Sequence, residues 1–227
     1  MSQQDQSPYQ GVFFDLDGTL ADTAPDLVAA TNRLLSARNL PLMPYEQLRS
    51  HASAGARGLI GGAFGIDTKH PDFILLRDEF FLNYENALLV ESKLFEGIQE
   101  LLNQLDDAKL PWGIVTNKSE RFTHPLTELM GLRQRAVSTV SGDTTPHSKP
   151  HPEPLLYAAR IANVDPNKSI YVGDDLRDIV AGKAAGMTTV VAAYGYCGCE
   201  EPPETWGADF IIQTPQELLK IVFPGRV

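Results

Sequence analysis

A chain of 227 residues, 43% hydrophobic and 21% charged, has the length and composition of a soluble globular protein built as one domain plus an insertion, or as two small domains. Its formal net charge of -10 at pH 7 repels nucleic acid and anionic membranes, so neither is an expected partner, and an anionic substrate would need positive charge gathered locally. No run of about 18 apolar residues occurs, so no segment is expected to span a bilayer.

Residues 1–10 are polar, with no basic region leading into an apolar stretch, so no signal peptide is read there and a cytoplasmic location is expected. Gly11-Val12-Phe13-Phe14 reads as a short strand buried on both faces, and Gly18 supplies the turn by which the chain leaves the sheet edge. Between them lie Asp15 and Asp17, which alternation puts on one side, facing one ligand crevice. Two like charges so close destabilise each other unless a cation or a proton-transfer role compensates.

The apolar period then turns helical for about 70 residues. Thr23-Ala24-Pro25-Asp26 reads as a helix start, with Thr23 accepting a backbone N–H and Pro25 in the first turn; Leu27, Ala30, Leu34 and Leu35 follow along one face. A second helical stretch near 46–49 leads into Ser53-Ala54-Gly55-Ala56-Arg57-Gly58. The five glycines of 53–65 predict a loop around Arg57 free to close over a ligand. A third helix, 73–89, carries Leu76, Phe80 and Tyr84 as a core stripe.

From Phe95 onward, strands expected at 112–116, 136–141, 170–173, 188–193 and 210–212 alternate with helices at 98–107, 121–130, 153–162, 176–185 and 216–222. The alternation implies an α/β fold: a Rossmann-like parallel sheet with helices on both faces, interrupted by an all-helical insertion. The core comprises 1–20 and 94–227, and the insertion 21–93. The strands end on polar groups: Thr116-Asn117-Lys118 after one, and Gly173-Asp174-Asp175-Leu176-Arg177-Asp178 after another. Lys149 precedes a proline just ahead of a helix. All should converge with Asp15 and Asp17 at the carboxyl edge of the sheet. Cys197 and Cys199 lack further soft ligands and read as free loop thiols.

With Asp15-Leu16-Asp17-Gly18-Thr19, Thr116, Lys149, and Gly173-Asp174-Asp175 with Asp178 in this order, the chain resembles the haloacid dehalogenase-like hydrolase superfamily, phosphatase branch. Within it, Ser53-Ala54-Gly55-Ala56-Arg57 and Trp206-Gly207-Ala208-Asp209 look more like N-acetylmuramic acid 6-phosphate phosphatases than like phosphoglycolate phosphatases. His151 departs from the aspartate often found there. The resemblance implies a helical cap and a Mg2+ cofactor held by Asp15, Asp174 and the backbone carbonyl of Asp17, with Asp175 or Asp178 holding coordinated water. Asp15 would be the nucleophile, and Asp17 the acid that protonates the departing alkoxide and the base that activates water. Thr116, Asn117 and Lys149 would bind the phosphoryl oxygens, and Arg57 a substrate carboxylate. The implied partner is a small phosphorylated metabolite, N-acetylmuramic acid 6-phosphate or 2-phosphoglycolate. A sugar-phosphate mutase would share these core motifs, and a phospho-accepting signalling module would share the first aspartate without needing Asp17 or a cap.

Overall fold

The computed structural model describes residues 7–198 and 201–225; Cys199 lies outside them. In chain order, β1 (Gly11–Phe14) and β2 (Ala21–Asp22) precede helices α1 (Ala24–Ala37), α2 (Tyr45–Leu48), α3 (Gly55–Phe64) and α4 (Phe73–Glu85). Then come β3 (Lys93–Leu94), α5 (Ile98–Asp107), β4 (Trp112–Val115), α6 (Glu120–Leu129), β5 (Thr139–Val140) and α7 (Glu153–Ala162). The chain continues through β6 (Ser169–Gly173), α8 (Leu176–Ala184), β7 (Thr188–Ala192), β8 (Phe210–Ile212) and α9 (Pro215–Val222).

Six strands form one sheet in the order β5-β4-β1-β6-β7-β8, and every pairing is parallel. Helices cover both faces, which is why β1 is an unbroken apolar run rather than an alternating one. Val12 and Phe14 join Trp112, Ile114, Ile170 and Val172 in the larger core. Phe13 points the other way, into Val115, Val140, Tyr171 and the α7 residues Leu155, Ala158 and Ala159. With β1 in the middle, its carboxyl end opens at the centre of the sheet edge, where flanking loops from β4 and β6 reach it.

The strand expected at 136–141 keeps only Thr139–Val140, a short edge. Residues 21–22 and 93–94, read from sequence as the limits of the helical unit, instead pair antiparallel, with Ala21 opposite Leu94 and Asp22 opposite Lys93. Two residues per strand carry no period, so the pattern could not reveal them. Between these strands α1–α4 pack around Leu27, Leu34, Leu59, Ile60, Leu76, Phe80 and Tyr84. The expected third helix stops at Glu85 rather than 89. Beyond it the chain turns back so that buried Asp26 accepts the amides of Val90, Glu91 and Ser92 and the Ser92 hydroxyl.

Two further local expectations give way. Thr23 does not cap α1 with its side chain; the Tyr196 hydroxyl accepts the Thr23 and Ala24 amides at 2.7 and 2.9 Å, and the Thr23 hydroxyl is committed to Asp17. Nor is 53–65 a loop: Gly55–Phe64 is helix, anchored by buried Leu59 and Ile60. A Cβ on Gly58 would lie 2.4 Å from the His51 carbonyl, so glycine here permits close packing rather than motion.

Candidate active site

The β1 strand places Asp15 at the sheet edge, its amide still bonded to the Val172 carbonyl of β6 at 2.9 Å. Asp15 Oδ1 accepts from the Leu16 amide at 2.7 Å and faces Lys149 Nζ at 3.0 Å. Among the described residues its Oδ2 accepts no hydrogen bond. Gly18, at φ 83°, turns the chain back over the site; a Cβ there would strike Asp174 Oδ2 at 2.1 Å.

Lys149 is buried, its ammonium also bonded to Asp178 Oδ1 at 2.7 Å, the Tyr171 hydroxyl at 2.9 Å and the Val115 carbonyl at 3.0 Å. Burial alone would favour loss of its proton, but Asp15 and Asp178 hold its pKa above the ordinary lysine value. The Asn117 side chain clasps the Lys149 peptide at two points: Nδ2 donates to its carbonyl and Oδ1 accepts its amide, both at 2.9 Å. Asn117 thus positions the lysine through its side chain, leaving its backbone amide for a ligand. Thr116 is buried on β4's exit with its hydroxyl accepting from the Lys118 amide at 3.2 Å, so its proton is available to donate.

Asp15, Asp174 and Asp178 bring one carboxylate oxygen each within 4.8 Å of the others. Burial, then repulsion from Asp15 and Asp178, pushes Asp174 well above the usual carboxylate range, and burial raises Asp178 despite Lys149. Like charges gathered out of water call for a cation, and an all-oxygen donor set fits a hard divalent ion such as Mg2+. The two aspartates offered for coordinated water separate: Asp178 joins this cluster, whereas Asp175 caps α8 and forms a forked pair with Arg177 at 2.7 and 2.8 Å.

Asp17 has different neighbours. Its Oδ1 accepts from the Thr23 hydroxyl at 2.5 Å and from Lys118 Nζ at 2.8 Å. Lys118 is 8% exposed and stands 4.8 Å from the centroid of the Tyr84 ring on α4. Burial lowers its pKa, but Asp17 and Tyr84 raise it further, keeping it charged. Sequence reasoning left Lys118 out of the site, although it stands in the strand-end triplet with Thr116 and Asn117. That it would be buried against a cap tyrosine has no local signal.

The aspartates of the site, with Thr116, Asn117, Lys118 and Lys149, line one cavity of about 490 Å³ between the sheet edge and the helical insertion. Phe80, Phe81 and Tyr84 of α4 and Phe122 of α6 form its apolar wall, with Tyr84 and Phe122 ring centroids 5.3 Å apart. Arg57, exposed on the first turn of α3, also lines it and makes no hydrogen bond or ion pair among the described residues. A second cavity of about 580 Å³ adjoins, sharing Ser53, Ala54, Arg57, Pro150, Asp175 and Arg177 with the first. Arg177 ties the two sides together, donating to the Ser53 carbonyl at 2.7 Å while holding Asp175.

The sequence matches the family described as haloacid dehalogenase-like hydrolase over residues 12–192, a span that includes every aspartate of the site and the whole helical insertion. The chain belongs to the haloacid dehalogenase-like hydrolases. It is 43% identical to an N-acetylmuramic acid 6-phosphate phosphatase of Pseudomonas putida over 213 residues, covering 94% of this chain and 96% of that one. A phosphoglycolate phosphatase of Xanthomonas campestris is 41% identical, covering 92% and 94%. Among solved structures, that of a predicted phosphoglycolate phosphatase from Haemophilus somnus superposes with a TM-score of 0.83 at 27% identity, covering 95% and 98%. This haloacid dehalogenase-like hydrolase is an enzyme of the phosphatase branch, with the six-stranded parallel sheet that the resemblance implies. Among the described residues no helix is long and apolar enough to cross a membrane.

Proposed function

We propose that the enzyme is a phosphomonoesterase that hydrolyses N-acetylmuramic acid 6-phosphate through a phosphoaspartyl intermediate on Asp15. The observation that carries the mechanism is the division of labour between two carboxylates in one cavity. Asp15 keeps a free oxygen beside Lys149, while Asp17 is turned toward Lys118 and Thr23. Asp15 Oδ2 attacks phosphorus and the bond to the ester oxygen breaks; that oxygen takes a proton from Asp17. Asp17 then accepts a proton from water, whose oxygen attacks the phosphoaspartate; the bond from phosphorus to Asp15 breaks and inorganic phosphate leaves.

Lys149, the Thr116 hydroxyl and the Asn117 backbone amide donate to the phosphoryl oxygens as charge moves between them. Lys118 acts through Asp17, holding its carboxylate toward the leaving group. A bound Mg2+, held by Asp15, Asp174 and the Asp17 backbone carbonyl with Asp178 at the edge of the cluster, would supply charge neutralisation between nucleophile and phosphoryl group. This concentrates positive charge where a net charge of -10 would otherwise repel the substrate.

For the substrate, the supporting features are the Arg57 guanidinium, which has no partner among the described residues and is suited to a carboxylate, and the aromatic wall, which suits the C–H faces of a sugar ring. A two-carbon acid phosphate would use the arginine and leave the wall unfilled. The P. putida relative, with similar coverage on both sides, carries the name of the larger substrate. The deciding experiment is kcat/KM with Mg2+ for N-acetylmuramic acid 6-phosphate, 2-phosphoglycolate and other phosphorylated metabolites, read by phosphate release. The first should rank highest, with activity lost on chelation; a higher value for 2-phosphoglycolate would overturn the assignment. A phosphoenzyme that persists until a sugar phosphate returns would mark a mutase instead.

A further inference from the structure

Shortly after β7, the segment Tyr194-Gly195-Tyr196 is pressed onto the turn that follows Asp15. The Tyr194 hydroxyl donates to the Thr19 carbonyl at 3.0 Å, and the Tyr196 amide donates to Asp174 Oδ2 at 2.9 Å. Between them, a Cβ on Gly195 would lie 2.3 Å from the Gly18 carbonyl and 2.4 Å from Asp174 Cβ. From the helical insertion, Arg49 donates to the Gly195 carbonyl at 3.1 Å and sets its guanidinium 5.1 Å from the centre of the Tyr196 ring. Tyr196 is buried, and the mechanism above gives it no task.

The Tyr196 hydroxyl is saturated. It accepts the Thr23 and Ala24 amides at 2.7 and 2.9 Å and donates its one proton to Asp22 Oδ1 at 3.1 Å. Because Pro25 has no N–H, these amides are two of the three donors that the first turn of α1 leaves without a helical partner. Thr23 stands at the N-cap, where a threonine ordinarily takes extended backbone and accepts an amide two or three residues on. Here its φ and ψ are -102° and -7°, and its side chain makes no capping bond. The Thr23 hydroxyl lies 3.4 Å from that of Tyr196, which has no lone pair left for it, and donates instead to Asp17 Oδ1 at 2.5 Å.

We infer that Tyr196 is a positioning residue for the acid–base group: by holding the Thr23 and Ala24 amides, its hydroxyl keeps the Thr23 hydroxyl on Asp17. The inference rests on the phosphatase reading above and adds to it a residue far along the chain from the group it orients. Without the Tyr196 hydroxyl, Thr23 relaxes to ordinary cap geometry and turns its oxygen to the Asp26 amide. Asp17 then keeps Lys118 alone.

The test is rapid-quench phosphoenzyme formation by wild type, Tyr196→Phe, Thr23→Val and the double variant. Substrates are p-nitrophenyl phosphate and whichever of N-acetylmuramic acid 6-phosphate and 2-phosphoglycolate the wild type turns over faster. Phenylalanine keeps the ring beside Arg49 and the amide on Asp174, so the comparison reads the hydroxyl alone. On the alkyl phosphate each single variant should lose about 10- to 30-fold, less than complete loss of a positioned acid because Lys118 remains. On p-nitrophenyl phosphate the loss should be at most about three-fold, since a phenolate needs the proton less. The substrate concentration giving half the maximal rate should move by less than about two-fold, because neither side chain touches substrate. The double variant should match Thr23→Val within about two-fold, since both changes act through one hydroxyl. Thr23→Ser, which keeps that hydroxyl, should stay within a few-fold of wild type. Losses that multiply in the double variant would overturn the inference, because Tyr196 would then act through Asp174 or the fold. Equal losses on both substrates, or none, would overturn it as well. Any of these results in a wild type that forms a phosphoenzyme leaves the phosphatase reading standing; a wild type that forms none would overturn both.

Discussion

Replacing Lys118 by methionine tests whether the acid–base group depends on a neighbour that no motif announces. The substitution keeps an unbranched apolar stem against Tyr84 and removes the ammonium 2.8 Å from Asp17 Oδ1. Breaking a fully buried ion pair by deleting one partner costs about 3–5 kcal/mol. Here the side chains are 8% and 16% exposed, and Thr23 continues to donate to the same oxygen, so about 2–3 kcal/mol is the expected loss. If that loss falls on the step in which Asp17 transfers a proton, it corresponds to a fall of roughly 30- to 150-fold. The assay is rapid-quench measurement of phosphoenzyme formation with an alkyl and an aryl phosphate. An alkoxide leaving group needs the proton and should show the full loss; a phenolate needs it less and should lose at most a few-fold. Equal losses on both would refute the argument, since Lys118 would then be acting on the phosphoryl group itself or on the fold.

Three other outcomes follow. Asp15→Asn should abolish turnover while leaving the fold intact, since Lys149 keeps Asp178 at 2.7 Å; fluoride analogues of the phosphoryl group should no longer trap, as checked by isothermal titration. Arg57→Ala should reduce kcat/KM on a carboxylate-bearing phosphate by about 1–2 kcal/mol and spare p-nitrophenyl phosphate. The value is below that of a fully desolvated pair because Arg57 is exposed, and competition between the two substrates would measure it. Asp26→Asn should lower the stability at pH 7 by about 1–3 kcal/mol. Burial raises the Asp26 carboxyl, but hydrogen bonds from Ser92, Val90 and Glu91 more than offset this and hold its pKa below the ordinary value. A depressed folded pKa means stability present above about pH 4 and lost as the pH falls through the folded value, so the gap between wild type and variant in urea melts should close in acid.

The parallel core was legible because buried strands of 4–5 residues such as Gly11–Phe14 and Ser169–Gly173 are built on short unbroken apolar runs, Val12–Phe14 and Ile170–Val172, and helices such as Ile98–Asp107 and Glu153–Ala162 carry a clear 3.6 period. Given that alternation, the carboxyl ends of the strands must share an edge, so Asp15, Thr116 and Asp174 could be brought together on paper without a structure. Lys149 followed from its place ahead of a helix in the same order. What the sequence determined by itself is therefore the part dictated by local period and by the handedness of parallel crossovers.

Partner choice was decided elsewhere. Nothing near Thr23 says that Tyr196 would accept the first amides of α1, freeing the threonine for Asp17. The run Asp174-Asp175-Leu176-Arg177-Asp178 does not say which acid turns to Arg177: Asp175 does, while Asp178, three residues on, reaches Lys149 and the acidic cluster. The glycines around Arg57 advertise freedom, yet Gly58 is small because His51 presses on it. Each of these is a choice between two acceptable hydrogen-bond or packing arrangements of similar local energy. It is settled by the packing and hydrogen bonds each group meets in the folded chain, and those only the tertiary structure contains.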